Sequence, residues 1–212
     1  MNRPATKPAS VERSARTSDN VSELRAGIEL EDAELVDRAR RGDRWAEEVL
    51  YHRHVSYIMG MVIRCLGSRD DAEDVVQDTF AIGLDRLGSM RQPDTVRSWF
   101  AQIAIRLVRR RLRRAKLFAA LRIVSSVDYL CLEAHGTPQA DPETRAELAT
   151  VGRVLATLPT DDRIAWMLRH VEGEPLENVA RICGCSLATA KRRIAAAAAC
   201  LQSRLEPTSE AP

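Results

Sequence analysis

The chain has 212 residues with 32 Lys and Arg against 30 Asp and Glu, a formal net charge of +2 that by itself implies no polyanionic partner. That length holds one ordinary domain or two small ones. No apolar run approaches the roughly 20 residues that cross a bilayer, and the N-terminus lacks the apolar core and cleavage site of a secretory signal, so the expectation is a cytoplasmic protein.

Residues 1–28 are rich in Pro, Ser, Thr, Asn and charge and read as a disordered tail. From Leu30 onward the pattern is helical. Asp32 is expected to cap a first helix carrying Leu35, Val36 and Ala39, which stops at Gly42. Asp43 then starts a longer helix through Trp45, Val49, Tyr57, Ile58, Met61 and Val62, ending at Gly67. Ser68-Arg69-Asp70-Asp71 resembles a capping box and opens a third helix with Ala72, Val75, Val76, Phe80 and Leu84 inside. A loop from Gly88 to Arg97 precedes a fourth helix starting near Ser98. No alternating run is bounded by hairpin turns, so an all-α fold is predicted.

The fourth helix contains IRLVRRRLRRAK, from Ile105 to Lys116, with seven cations and no acid. Trp99, Phe100, Ile103, Ala104 and Leu107 form one apolar stripe. Its continuation meets Arg110, Arg111 and Arg114, which cannot be buried unpaired, so the last two turns are expected to leave the packed body. A solvated face would mix signs, and a membrane-surface helix would keep an apolar face along its length. Phosphate backbone is the partner that remains.

Residues 118–141 read as a linker, interrupted by Gly136 and Pro138. A second helical block spans 142–206, and 207–212 form a frayed tail. In this block Leu176, Val179, Ala180 and Cys183 make the inner face of a short helix, Gly184 permits a sharp turn and Ser186 caps the next helix, the layout of a helix-turn-helix. In the second helix Leu187, Ala190, Ile194, Ala197, Ala198 and Leu201 share one side. Ala188, Thr189 and Arg192 point the opposite way, flanked by Lys191 and Arg193, a pattern suited to a major groove, with Arg192 as the guanine reader.

Both blocks, in this order and spacing, resemble an RNA polymerase sigma factor of the sigma-70 family, and the compact form resembles its extracytoplasmic-function (ECF) group. The stretches that carry the likeness are DAELVDRARRGDRWAEEVLYHRH, LGSRDDAEDVVQDTF, SWFAQIAIRLVRRRLRR and LPTDDRIAWMLRHVEGEPLENVARICGCSLATAKRRI. The resemblance implies that residues 29–117 form sigma region 2 and 142–206 form region 4. It implies that Asp74, Gln77 and Asp78 dock on the clamp helices of the largest subunit of core RNA polymerase. It further implies minus-ten contacts from Trp99, Arg106, Arg109, Arg110, Arg113 and Arg114, with the loop from Gly88 to Arg97 pocketing a flipped base. Ser186, Thr189, Lys191, Arg192 and Arg193 would then meet the minus-thirty-five element. An anti-sigma factor is a common partner in the group. Two departures stand out: Arg106 occupies a position where the family often has asparagine, and Ala195 to Ala199 replace the usual arginines.

The competing reading is a stand-alone helix-turn-helix regulator that binds duplex DNA without polymerase. No cofactor or metal is expected: the single-residue gap of Cys183-Gly184-Cys185 is tighter than a zinc knuckle and has no second ligand pair. The five cysteines, Cys65, Cys131, Cys183, Cys185 and Cys200, are odd in number and scattered, which argues against a disulfide framework. His52, His54, His135 and His170 form no nucleophile motif with Ser or Cys, so the protein is not expected to be an enzyme.

Overall fold

The computed structural model describes residues 30–120 and 141–205. The readings of a disordered tail, of most of the linker and of the C-terminal tail fall outside these residues. Among the described residues every regular element is helical: α1 (Asp32–Arg40), α2 (Arg44–Leu66), α3 (Arg69–Asp85), two 3-10 turns (Leu87–Ser89 and Pro93–Thr95), α4 (Val96–Ala120), α5 (Pro142–Thr157), α6 (Thr160–His170), α7 (Leu176–Cys183) and α8 (Leu187–Leu205). The described residues divide into two compact units, residues 30–53 with 87–96, and residues 54–86 with 97–120 and 141–205.

In the first unit α1 packs on both 3-10 turns. Its apolar face, Leu35, Val36 and Ala39, is buried, and acids fill its first turn while Arg38 and Arg40 fill its last, as the helix dipole favours. The expected cap at Asp32 shifts by one residue: Glu31 is the N-cap and bonds no side chain to the helix. Asp32 is used otherwise, accepting from Arg53 at 2.7 Å. Arg40 donates to the carbonyl oxygens of Leu87 (3.1 Å) and Met90, which fastens the loop to α1. At the start of α2, Asp43 Oδ1 accepts from the Trp45 amide at 3.1 Å, the expected start signal.

In the second unit α3 begins as predicted, with Ser68 Oγ accepting from the Asp71 amide at 3.3 Å. It buries Ala72, Val75, Val76, Thr79, Phe80 and Gly83. Phe100 of α4 is fully buried and meets Phe80 at a ring separation of 4.7 Å. Gly83 is required there, because a Cβ built on it would lie 2.5 Å from Phe100 Cε1. The α4 helix does not leave the packed body where the arginines begin. Ile105, Val108 and Leu112 are buried, so the apolar stripe continues between the cations instead of running into them. The arginines that fall beside this stripe are neutralised from other helices.

The α5–α8 block has its own apolar cluster of Val154, Leu155, Leu158, Ala197 and Leu201, with Val151, Trp166 and Cys200 against it. The α7–α8 turn is a Schellman motif: Gly184 sits at φ 63° and ψ 42°, with Cys185 N donating to Ala180 O at 3.0 Å and Gly184 N to Arg181 O at 3.1 Å. Ser186 Oγ then accepts from the Thr189 amide at 3.2 Å. One reading of α8 is corrected: Leu187 is 40% exposed, because as the first residue of the helix it precedes the turn that packs.

Candidate nucleic-acid interface

The α4 cations divide into two sets. Arg106, Arg110, Arg113 and Arg114 are exposed, and of these only Arg106 has a described partner, Gln102 Oε1 at 2.7 Å. Arg109 and Arg111 are half-buried and paired. Arg111 meets Asp71 and, at 3.6 Å, Asp74. Arg109 donates to Asp161 Oδ1 at 2.7 Å and to the Cys183 carbonyl at 3.0 Å. The acids missing from the stretch itself are therefore supplied by α3 and α6, at sequence separations of 40 and 52 residues.

Asp74, Gln77 and Asp78 lie exposed on the outer side of α3. Asp74 and Asp78 share one open cleft of about 330 Å³ with Arg110, Arg111 and Arg114, floored by Val75 and Leu107. Two groups of residues assigned to different partners thus adjoin. The cleft brings opposite charges together at the surface, where Asp78, Arg110 and Arg114 are exposed while Arg111 is already paired with Asp71 and Asp74.

Trp99 is half-buried and directs its indole N–H at the Gly83 carbonyl, 3.4 Å away. With Phe100 in the core, the aromatic surface left near this helix for base stacking is small.

On α8, Lys191 and Arg192 are exposed, with Ala188 beside them. Ser186 and Thr189 bond each other through their hydroxyls at 2.9 Å within the first turn. Arg193 is drawn aside and pairs with Asp161 Oδ2 at 2.7 Å. Asp161 thus binds one arginine of α4 and one of α8, a role that no local sequence pattern signals.

A second polar network surrounds Glu174, whose side chain is 4% exposed. It accepts from Tyr57 at 2.7 Å, from Arg97 and, at 3.0 Å, from Asn178, and the Arg97 guanidinium lies 4.1 Å above the Tyr57 ring. Burial, with the Glu174 bond and charge, pushes the Tyr57 hydroxyl well above its usual range. Nearby, Glu172 binds Arg64 Nε at 2.7 Å. Burial raises the thiols of Cys65 to about 12 and Cys183 to about 11, which leaves both poor nucleophiles. Among the described residues no group of His, Cys, Asp and Glu is placed to hold a metal ion, and no helix is long and apolar enough to cross a membrane.

Two family models match the chain: Sigma-70 region 2 over residues 50–118 and Sigma-70 region 4 over residues 148–201. The ECF RNA polymerase sigma factor SigM of Mycobacterium tuberculosis is 30% identical over 172 residues, 81% of this chain and 83% of that protein. The chain belongs to the sigma-70 family, in its ECF group. The RNA polymerase sigma-H factor of Pseudomonas aeruginosa is 29% identical over 183 residues, 84% of this chain and 95% of its own length. The solved structure of CnrH in complex with the cytosolic domain of CnrY is similar at a TM-score of 0.59 and 26% identity, covering 84% of this chain and 99% of that one. The region 2 match takes in α3 and most of α4, and the region 4 match takes in α6, α7 and most of α5 and α8. As a sigma factor the protein is a non-enzymatic transcription initiation factor.

Proposed function

We propose that the two matched segments divide the work of promoter recognition, with residues 29–117 and 142–206 as separate DNA-holding bodies and 118–141 as the tether. The outer side of α3, through Asp74, Gln77 and Asp78, docks on the clamp helices of core RNA polymerase. The α4 cations Arg106, Arg110, Arg113 and Arg114, with Arg109 once released from Asp161, hold the phosphates of the non-template strand at the minus-ten element. The loop from Gly88 to Arg97 takes the flipped base. Because Trp99 is half-buried and Phe100 fully buried, strand separation depends more on promoter sequence than on stacking. The first turns of α8 enter the major groove at the minus-thirty-five element: Arg192 reads the base edge, Ser186 and Thr189 shape the approach, and Lys191 and Arg193 hold the backbone.

The observation that carries this reading is the exposure of Arg110, Arg113 and Arg114 on one family-matched segment and of Lys191 and Arg192 on the other, none ion-paired to a described residue. A second protein that sequesters the chain is also proposed, of the anti-sigma kind; the similar CnrH structure holds the cytosolic domain of another protein. Run-off transcription with purified core polymerase tests the main reading. Promoter-specific transcripts are expected. Tight duplex binding without core, with no transcripts, would overturn it.

A further inference from the structure

The loop that begins at Gly88 is held from behind by one side chain of α1. Arg40, in the last turn of that helix, donates from Nε to the Leu87 carbonyl at 3.1 Å and from Nη2 to the Met90 carbonyl. Its third nitrogen, Nη1, donates to Asp37 Oδ1 at 3.1 Å, one turn back along α1. Nε and Nη2 share one edge of the planar guanidinium, so the two carbonyls are gripped as a pair while Asp37 braces the far end. Bonds from a charged donor are stronger than those between neutral groups. The Arg40 side chain is only 26% exposed, which shields them in part from water.

The carbonyls so held bracket a turn. Leu87 and Met90 are buried, and the Met90 amide also donates to the Leu87 carbonyl at 3.1 Å. Gly88, Ser89, Arg91 and Gln92 are exposed. Beyond them the Gln92 carbonyl accepts from the Thr95 amide at 3.1 Å and from the Thr95 hydroxyl at 2.8 Å. Arg91 therefore stands between two fixed carbonyls, that of Met90 on one side and that of Gln92 on the other. Neither the Arg91 nor the Gln92 side chain bonds a described residue, and both are of kinds that read base edges.

We propose that Arg40 is a positioning residue for minus-ten recognition: its grip on the Leu87 and Met90 carbonyls sets the height and angle at which Arg91 and Gln92 meet the flipped base. The proposal rests on the reading above, in which this loop takes that base. Hydrogen bonds discriminate between bases only when their donors and acceptors are held within about 0.5 Å, and a surface loop reaches that precision through the groups behind it. Without Arg40 the turn keeps its own amide bond and its buried side chains, so the loop stays folded but loses its register against the base. The loss falls on the choice between bases rather than on binding.

The test is transcription by core polymerase with the full chain as wild type, Arg40→Gln, Arg40→Lys and Arg38→Gln. The template is a barcoded library randomised across the minus-ten and minus-thirty-five elements, and transcript counts give the base preference at each position. Arg40→Gln is expected to flatten the preference at a minus-ten position about tenfold, with the minus-thirty-five preference and co-purification with core unchanged. Arg40→Lys, a point charge that cannot span two carbonyls, is expected to fall between it and wild type. Arg38→Gln removes the same charge from the same turn, where Arg38 bonds Glu34 instead, and is expected to keep wild-type preferences. Wild-type minus-ten preferences in Arg40→Gln would overturn the positioning role. So would an equal loss on every template, which is what a merely structural Arg40 gives, or the same flattening in Arg38→Gln. If Arg40→Gln lost helicity by circular dichroism, Arg40→Lys decides on the same criterion. Absence of transcripts from the wild-type chain rejects the functional reading and the positioning role with it, whereas normal initiation with unresponsive variants rejects the positioning role alone.

Discussion

Replacing Gly83 by Ala sets helix propensity against packing, and the structure decides between them. In the last turn of α3, Ala is favoured over Gly by at most about 1 kcal/mol from backbone entropy alone. The added Cβ, however, would stand 2.5 Å from Phe100 Cε1 and 2.7 Å from Cδ1, with Ile103 Cδ1 at 3.4 Å. Carbon atoms prefer about 3.5–4.0 Å, so the ring would have to move by about 1 Å. Phe100 is fully buried and seated on Phe80, and has no open space to take up the shift. Overpacking of this kind costs about 1–3 kcal/mol, with a clash this short at the upper end. The net expectation is a loss of about 1–2 kcal/mol, a drop in Tm of about 2–8 °C for a chain of this size. Gly88→Ala is the control, because a Cβ there meets nothing within 4 Å. Thermal melts followed by circular dichroism would check both. A Gly83→Ala protein at least as stable as wild type would refute the account of how α3 and α4 approach each other.

Arg192→Ala should lower discrimination at one base of the upstream element by about 1–3 kcal/mol, read by comparing promoter variants in binding assays; equal losses on all promoters would assign Arg192 to the backbone. Asp78→Lys should weaken co-purification with core polymerase about tenfold, near 1.4 kcal/mol, without loss of helicity, whereas Asp74→Lys would also remove a partner of Arg111. With its thiol raised from 9.0 to about 11 by burial, Cys183 should be alkylated at pH 8 about a hundredfold more slowly in the folded chain than after unfolding. The same shift carries a stability consequence. Above pH 9 the unfolded chain loses the thiol protons that the folded chain keeps, so stability should fall between about pH 9 and pH 12 through Cys65 and Cys183, as urea melts across that range would measure.

The helices were legible because their signals are local. Ser68 caps α3, Gly184 and Ser186 make the turn, and the apolar spacing from Val179 to Leu201 fits the α7–α8 pair. The outward placement of Lys191 and Arg192 on α8 followed from the same periodicity, whereas on α4 that reading ran the apolar stripe into Arg110, Arg111 and Arg114 when it continues through Val108 and Leu112. What escaped depends on residues far apart in the chain. The run from Ile105 to Lys116 contains no acid, yet Arg109 and Arg111 are neutralised by Asp161 and Asp71, which only the fold brings near. For the same reason nothing in the local pattern of α6 marks Arg163, which is buried at the end of α2. Charge patterning along one helix identifies which side chains are cationic. It does not identify which ones tertiary contacts will consume.

The account depends on the exposed arginines of α4 and the first turns of α8 meeting one promoter while α3 meets the polymerase. A structure of the chain with core enzyme and promoter DNA tests this most directly. It should place Arg110, Arg113 and Arg114 within hydrogen-bond reach of non-template phosphates, Arg192 at a base edge upstream, and Asp78 against polymerase, with Arg109 and Arg193 separated from Asp161. Those arginines turned toward bulk solvent or toward protein in the initiating complex would contradict it.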